Sequence, residues 1–208
     1  MALRIRPTRT PAEFEAAIGV ISHYFGGDWS AEAAERFGRL LPAERMHAAF
    51  DGDAIVGGAG AFPFELTVPG ARVPCAGVTV VGVLPTHRRR GILDRMMRAQ
   101  LADVRERGEP VAALWASEET IYGRFGYGSA TPCHTVRLSG RAVTLPPPPP
   151  NVRVTMITPE EAATALPPAY ARHWRSVPGR FHRTPAWWRH RLLDDPGHRR
   201  HGASARRF

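Results

Sequence analysis

The residues with the clearest chemical potential stand in one stretch, the string V-G-V-L-P-T-H-R-R-R-G-I from Val81 to Ile92. Apolar residues lead up to Pro85, three arginines and a glycine follow, and an amphipathic pattern then begins. Such an order predicts a strand, a sharp turn and the start of a helix. The first amides of a helix have no intrahelical acceptor, and the helix dipole adds partial positive charge behind them. Successive backbone N–H groups there form a nest that suits two linked phosphates. Gly91 lets the backbone approach without a side chain in the way, and Arg88 and Arg89 add charge-assisted donors. On residue types alone a solvated arginine-rich turn is the competing reading.

The elements that must hold this turn are legible in outline. After Gly91 the residues Ile92, Leu93, Met96, Met97, Leu101 and Val104 form one apolar stripe at helical spacing. Gly108 and Pro110 end that helix in the usual order. Before it, Leu3 to Arg6 reads as a strand. Thr10 caps a helix from Pro11 to about Phe25, stopped by Gly26 and Gly27, and Ser30 caps another reaching Leu41. Strands follow at Met46 to Phe50 and Ala54 to Ala61, hinged on Asp51-Gly52, then at Phe64 to Val68 and Ala76 to Val83. Val111 to Trp115 is a buried-type strand, Glu118 to Arg124 a short helix, and Tyr127 to Leu138 a final strand.

Five consecutive prolines, Pro146 to Pro150, can continue neither sheet nor helix and mark a boundary. Residues 1–140 read as one domain and 141–150 as a linker. Residues 151–208 read as the opening of a second unit, with a strand at Val152 to Ile157 and helices at Pro159 to Ala165 and Thr184 to Leu193. Adjacent Trp187 and Trp188 point to different helix faces, one to a core and the other to an interface.

Composition narrows the function classes. The net charge is +9, but the final 37 residues hold 10 Arg against Asp194 and Asp195, while the first 171 balance 18 Arg against 17 acidic residues. All 28 basic residues are Arg. Lysine serves well as a phosphate-binding point charge, so its complete absence reads as compositional bias rather than selection for nucleic acid, and a nucleic-acid binder ranks last. No apolar run approaches the roughly 18 residues of a membrane span, and no secretory signal is apparent, so the expected compartment is the cytoplasm. Cys75 and Cys133 lack both a disulfide framework and zinc-ligand spacing, and His198 to His201 reads as solvated. No metal is expected.

Arg88-x-x-Gly91 resembles the opening of the pyrophosphate motif Gln/Arg-x-x-Gly-x-Gly/Ala of the GCN5-related N-acetyltransferases (GNAT). Leu93 stands at the final position, a departure typical of one branch. The longer string through Arg90-Gly91, with A-A-L-W-A-S-E and I-Y-G-R-F-G-Y-G downstream, resembles that branch, the enhanced intracellular survival (Eis) family of aminoglycoside and lysine acetyltransferases. The likeness covers residues 1–140 well and the W-W-R-x-R-L-L region at 187–193 more weakly.

The resemblance implies an α/β (α+β) fold: a mixed, mostly antiparallel sheet with a splayed parallel strand pair, flanked by helices, and a second, incomplete GNAT-like region. It implies acetyl-coenzyme A as co-substrate, with Val81 and Val83 matching the strand positions whose backbone bonds the pantetheine arm. Arg88, Arg89, Gly91 and Ile92 match the phosphate turn, and Ser117 a position near the thiol. Tyr122 matches the general acid. A phenol with a pKa of about 10 is protonated at neutral pH and can give its proton. The acceptor implied is a small-molecule amine or a lysine side chain. Asp28 is the candidate for its acidic pocket, with Glu32 second, although both also read as exposed carboxylates at a helix start. In the family the attacking amine's proton goes to a far C-terminal carboxylate of a longer chain, a role Phe208 does not inherit, and full-length members form homo-oligomers, usually hexamers.

Overall fold

The computed structural model describes residues 3–25, 29–136, 147, 149–194, 204 and 206–208. Its centre is a five-stranded sheet in the order β1 (Arg4–Pro7), β2 (Met46–Asp51), β3 (Ala54–Val68), β4 (Ala71–Val83) and β5 (Val111–Leu114). The first three junctions are antiparallel. The last, between β4 and β5, is parallel and pairs Cys75 through Val78 with Val111 through Leu114. A parallel neighbour needs a crossover, supplied by α4 (Ile92–Glu106).

Helices α1 (Pro11–Gly19), α2 (Ser22–Phe25) and α3 (Ala31–Gly38) cover one face of the sheet. Thr10 and Ser30 cap α1 and α3 by accepting the amides of Glu13 and Ala33 at 3.1 Å each. Phe14, Ile18, Leu41, Met46, Phe50 and Phe62 make the core on this side. On the other face Ile92, Met96, Met97 and Val104 of α4 pack on Ala49, Ala59, Ala61, Ala76 and Val78. Small residues on the sheet bring the helix close.

Where α1 meets the sheet, Gly58 is essential. A Cβ there would lie 2.2 Å from the Ala17 carbonyl oxygen, closer than any side chain permits. Pressed against β3, α1 tightens to an Ile21 N–H to Ile18 oxygen bond. It stops at Gly19 instead of running on to Phe25, and α2 starts afresh at Ser22.

β3 also differs from the sequence expectation, because it runs unbroken through Pro63. Thr67 donates its N–H to Arg180 O, and His182 donates to Glu65 O. By strand alternation Pro63 presents its missing donor to that same edge, in the gap between the end of β2 and residues 179–182. No ladder bond is lost there.

The chain after the prolines packs on this extension of β3. Leu66 faces Phe181 in an antiparallel bridge. Thr67 Oγ1 donates to Trp174 O at 2.7 Å in a buried position. Trp187 stands edge-on to Phe62 and Phe64 with ring centroids 5.1 and 5.0 Å away. α5 (Pro159–Trp174) passes through Pro167 and Pro168, beyond the expected stop at Ala165. Tyr170 and Trp174 anchor its far end to Phe181 and Thr67. Thr184 then caps α6 (Pro185–Trp187), which continues as a π-helical turn over Trp188–Leu193.

Two expected strands are not formed. Residues 127–136 have no regular structure, and Gly128 and Pro132 interrupt the run. Its remainder, residues 137–138, lies outside the described residues, as do residues 139–140 and, of the linker, residues 141–146 and 148. Residues 152–156 are exposed without ladder partners, and only Ile157 exchanges backbone hydrogen bonds, at 2.8 and 3.1 Å, with Phe208. Among the described residues no helix is long and apolar enough to cross a membrane.

Candidate active site at the parting of two strands

β5 ends at Leu114, level with Val78, while β4 runs on to Val83. Past that level the two strands are no longer paired, and a slot parts them along which β4 has no strand partner on its β5 side. Leu84 N–H donates to Val56 O at 2.9 Å. By alternation along an antiparallel ladder, the N–H and C=O of Val83 face away from β3 and into the slot.

Within β4 the register shifts. Gly58 faces Gly82, Gly60 faces Thr79, and both Val80 and Val81 stand opposite Ala59. This is a β-bulge, and Val80 takes φ of 47°, a left-handed conformation costly for a β-branched residue. The extra residue turns Val80 toward the α1 side, while Val81 packs on the α4 side. Bulges re-aim the backbone beside active sites; this one lies at the point where β5 leaves.

The turn after β4 has the geometry of a nest. A 3₁₀ turn over Pro85–His87 leads to Arg89 with φ of 60° and Gly91 with φ of 71°, and α4 opens on the Gly91 carbonyl with the Arg95 amide at 3.1 Å. The amides of residues 91–94 meet no acceptor among the described residues. A Cβ on Gly91 would meet nothing within 4 Å, so its left-handed conformation, not crowding, calls for glycine.

The three arginines divide their work. Arg90 Nη2 bonds Asp51 Oδ2 at 3.1 Å, with His87 Nε2 at 3.5 Å from the same oxygen, bracing the turn on the β2–β3 hairpin. Arg88 folds back over the Tyr24 ring, 4.9 Å from its centroid, and its Nε donates to the Tyr24 hydroxyl at 3.0 Å. Arg89 has no side-chain partner among the described residues and is exposed. Ile92 is buried under the helix, so only its backbone faces the turn.

On the β5 side Trp115 and Ser117 are exposed, and two 3₁₀ turns, Glu119–Ile121 and Gly123–Phe125, carry Tyr122 at their junction. The Tyr122 ring is half-buried against the α4-side core and stands edge-on to Tyr127 at 5.9 Å. Burial pushes its phenol above the usual value, and the nearby Glu118 carboxylate adds to the effect. Tyr127 is pushed up to about 12 by burial, with Tyr122 and Cys75 adding to it, and its buried hydroxyl has no partner among the described residues.

The base of the slot is tied. Arg45 Nε donates to Ala61 O at 2.7 Å, and Arg45 Nη2 meets both Glu109 carboxylate oxygens at 2.8 and 2.7 Å. Glu109 stands immediately before Pro110 and β5, so this buried pair fixes where the parallel strand starts.

Val81, Val83, Arg88, Arg89, Gly91 and Ile92 therefore share one strand, turn and helix start, with Ser117 and Tyr122 on the segment that follows β5. Asp28, Gly26, Gly27 and His198 to His201 lie outside the described residues; Glu32 is in the first turn of α3. Cys75 is buried and Cys133 exposed, both as free thiols. Among the described residues no three His, Cys, Asp or Glu side chains converge as metal ligands would. Sequence reasoning missed Tyr24, Arg90 and the bulge at Val80.

A mixed sheet parted at its one parallel junction, with an amide-lined turn opening the following helix, defines the acetyltransferase class of fold. The model of the acetyltransferase (GNAT) domain matches residues 4–130, and the chain belongs to that family. An uncharacterized N-acetyltransferase of Streptomyces avermitilis is 47% identical over 184 residues, covering 86% of this chain and 45% of that protein. The N-acetyltransferase Eis of Mycobacterium tuberculosis is 35% identical over 188 residues, covering 86% and 46%. The crystal structure of Eis1 from Mycobacterium abscessus superimposes with a TM-score of 0.72 at 40% identity, over 89% of this chain and 46% of that one. The chain thus spans about half the length of the curated relatives it matches.

Proposed function

We propose that this chain binds acetyl-coenzyme A in the slot between β4 and β5 and carries the acyl-transfer centre of an N-acetyltransferase acting on a primary amine. The observation that carries the reading is the set of unbonded amides at residues 91–94, at a turn shaped by positive φ at Arg89 and Gly91. Unsatisfied donors at a helix start, with a free guanidinium beside them, fit a pyrophosphate.

In this reading the Val83 backbone, turned into the slot, bonds the pantetheine amides, with Val81 one step behind. An amide N–H near Val81 bonds the thioester carbonyl oxygen and stabilises the charge that develops there when an amine attacks. Tyr122 holds its proton through the neutral range and gives it to the departing thiolate. The same environment that raises its pKa keeps it in the donating form. Ser117 stands where a hydroxyl can reach the thiol end of the cofactor. The acceptor is an aminoglycoside-like or lysine amine, with Asp28 offered to its positive charge.

Coverage of only about half of each relative favours one further reading, in which the 208-residue chain binds the cofactor but transfers acetyl slowly. Isothermal titration of the chain with acetyl-coenzyme A is expected to give saturable heat. Thiol release with an aminoglycoside is expected to be slow. No heat at millimolar concentrations refutes the binding, and brisk thiol release refutes the slow reading.

A further inference from the structure

Given the cofactor slot proposed above, we infer that Tyr24 is a latch across it, holding the Val83 carbonyl and Arg88 until the cofactor displaces the phenol. The Tyr24 hydroxyl donates to Val83 O at 2.8 Å and accepts from Arg88 Nε at 3.0 Å. One phenol oxygen thus connects a strand carbonyl directed into the slot with the first arginine of the phosphate turn. Ile21, immediately before α2, sits close over the end of β4: a Cβ on Gly82 would lie 3.6 Å from its Cα.

Tyr24 is not held there by burial. It is 42% exposed, which separates it from the core aromatics Phe14 and Phe62, and its side-chain polar contacts among the described residues are those to Val83 and Arg88. Both are groups that an incoming cofactor needs. A pantetheine amide N–H must bond a slot-facing carbonyl, and a diphosphate draws the guanidinium of Arg88. Each competes with the phenol for the same partner. Entry therefore breaks the chain guanidinium–phenol–carbonyl and swings Tyr24 toward solvent, where water replaces both of its bonds.

A closed latch lowers apparent affinity by the fraction of molecules that are open. Tyr24→Phe keeps the ring and its stacking with Arg88 but removes the hydroxyl. Coenzyme A is expected to bind this variant about five- to a hundredfold more tightly, the range released by two hydrogen bonds. Stopped-flow measurements should find the gain in the association rate, with dissociation unchanged, since the phenol acts before binding. Thermal melting of both proteins checks that the fold is intact.

An unchanged or weaker affinity overturns the latch and makes Tyr24 a contact of the bound state or a bystander. A gain confined to slower dissociation also overturns it. Wild-type protein that fails to bind while Tyr24→Phe binds is the extreme of a closed latch and supports it. If neither protein binds coenzyme A, the slot reading and the latch fall together.

Discussion

Gly91 offers the sharpest test of the phosphate turn, because its two possible functions can be separated by choice of residue. Its φ of 71° is left-handed, and a Cβ would meet no protein atom within 4 Å. Alanine therefore suffers conformational strain but no clash, at about 1–2 kcal/mol. For a chain of this size, that corresponds to a melting temperature lower by about 2–8 °C. Asparagine visits the left-handed region far more readily, so Gly91→Asn should melt within about 2 °C of wild type. What Asn adds is a side chain in the space above the unbonded amides. If two phosphates occupy that space, Gly91→Asn should lose coenzyme A affinity by about tenfold or more while keeping its stability, as one displaced charge-assisted bond requires. Calorimetric titration and thermal melting on the same preparations give both numbers. Wild-type affinity in the Asn variant would show that the phosphates do not lie above Gly91. Wild-type stability in the Ala variant would show that the left-handed turn is not required.

The same geometry sets three other expectations. Tyr122→Phe should lower the acetyl-transfer rate by about 10²–10⁴-fold with cofactor affinity unchanged; because burial raises the Tyr122 pKa, the wild-type rate should show no loss attributable to this group below about pH 10. Gly58→Ala drives a Cβ into the Ala17 carbonyl and should cost about 3 kcal/mol in denaturant titration; a loss under about 1 kcal/mol would mean that α1 does not press on β3. His47 lies 3% exposed on β2, and burial lowers its pKa, with Arg107 and Arg45 opposing protonation and Asp103 favouring it. The unfolded chain takes that proton first, so stability should fall as pH drops below about 6.5, and His47→Gln should flatten this dependence in melting curves; an unaltered slope would assign it to other groups.

The parts of this fold that sequence makes legible are those where side-chain type and backbone demand coincide. Thr10 and Ser30 are caps by chemistry and are caps in the structure. α4 follows from the stripe Ile92, Met96, Met97 and Val104, and ends near Gly108. The turn before α4 is legible as a turn because Gly91 and the arginines advertise it. Val80 is different: V-T-V-V-G-V is an ordinary strand pattern, and the extra residue of a bulge leaves its periodicity almost intact. Pro63 argues locally for a strand break, and only the gap between β2 and residues 179–182 removes the objection. Tyr24 has no local signal at all. Its partners, Val83 and Arg88, come near only when α2 settles over β4. Pro167 and Pro168 likewise speak against a helix that Tyr170 and Trp174 anchor from outside.

The Arg45–Glu109 pair has a mechanical consequence. It clamps one end of the strand fork to Ala61, buried on both sides, whereas β4 and β5 stay joined only as far as Leu114. A fork riveted at its root cannot widen evenly. Any thickness forced between its prongs is translated into angular travel, smallest beside Cys75 and largest at the tip, where Ser117 and Tyr122 ride.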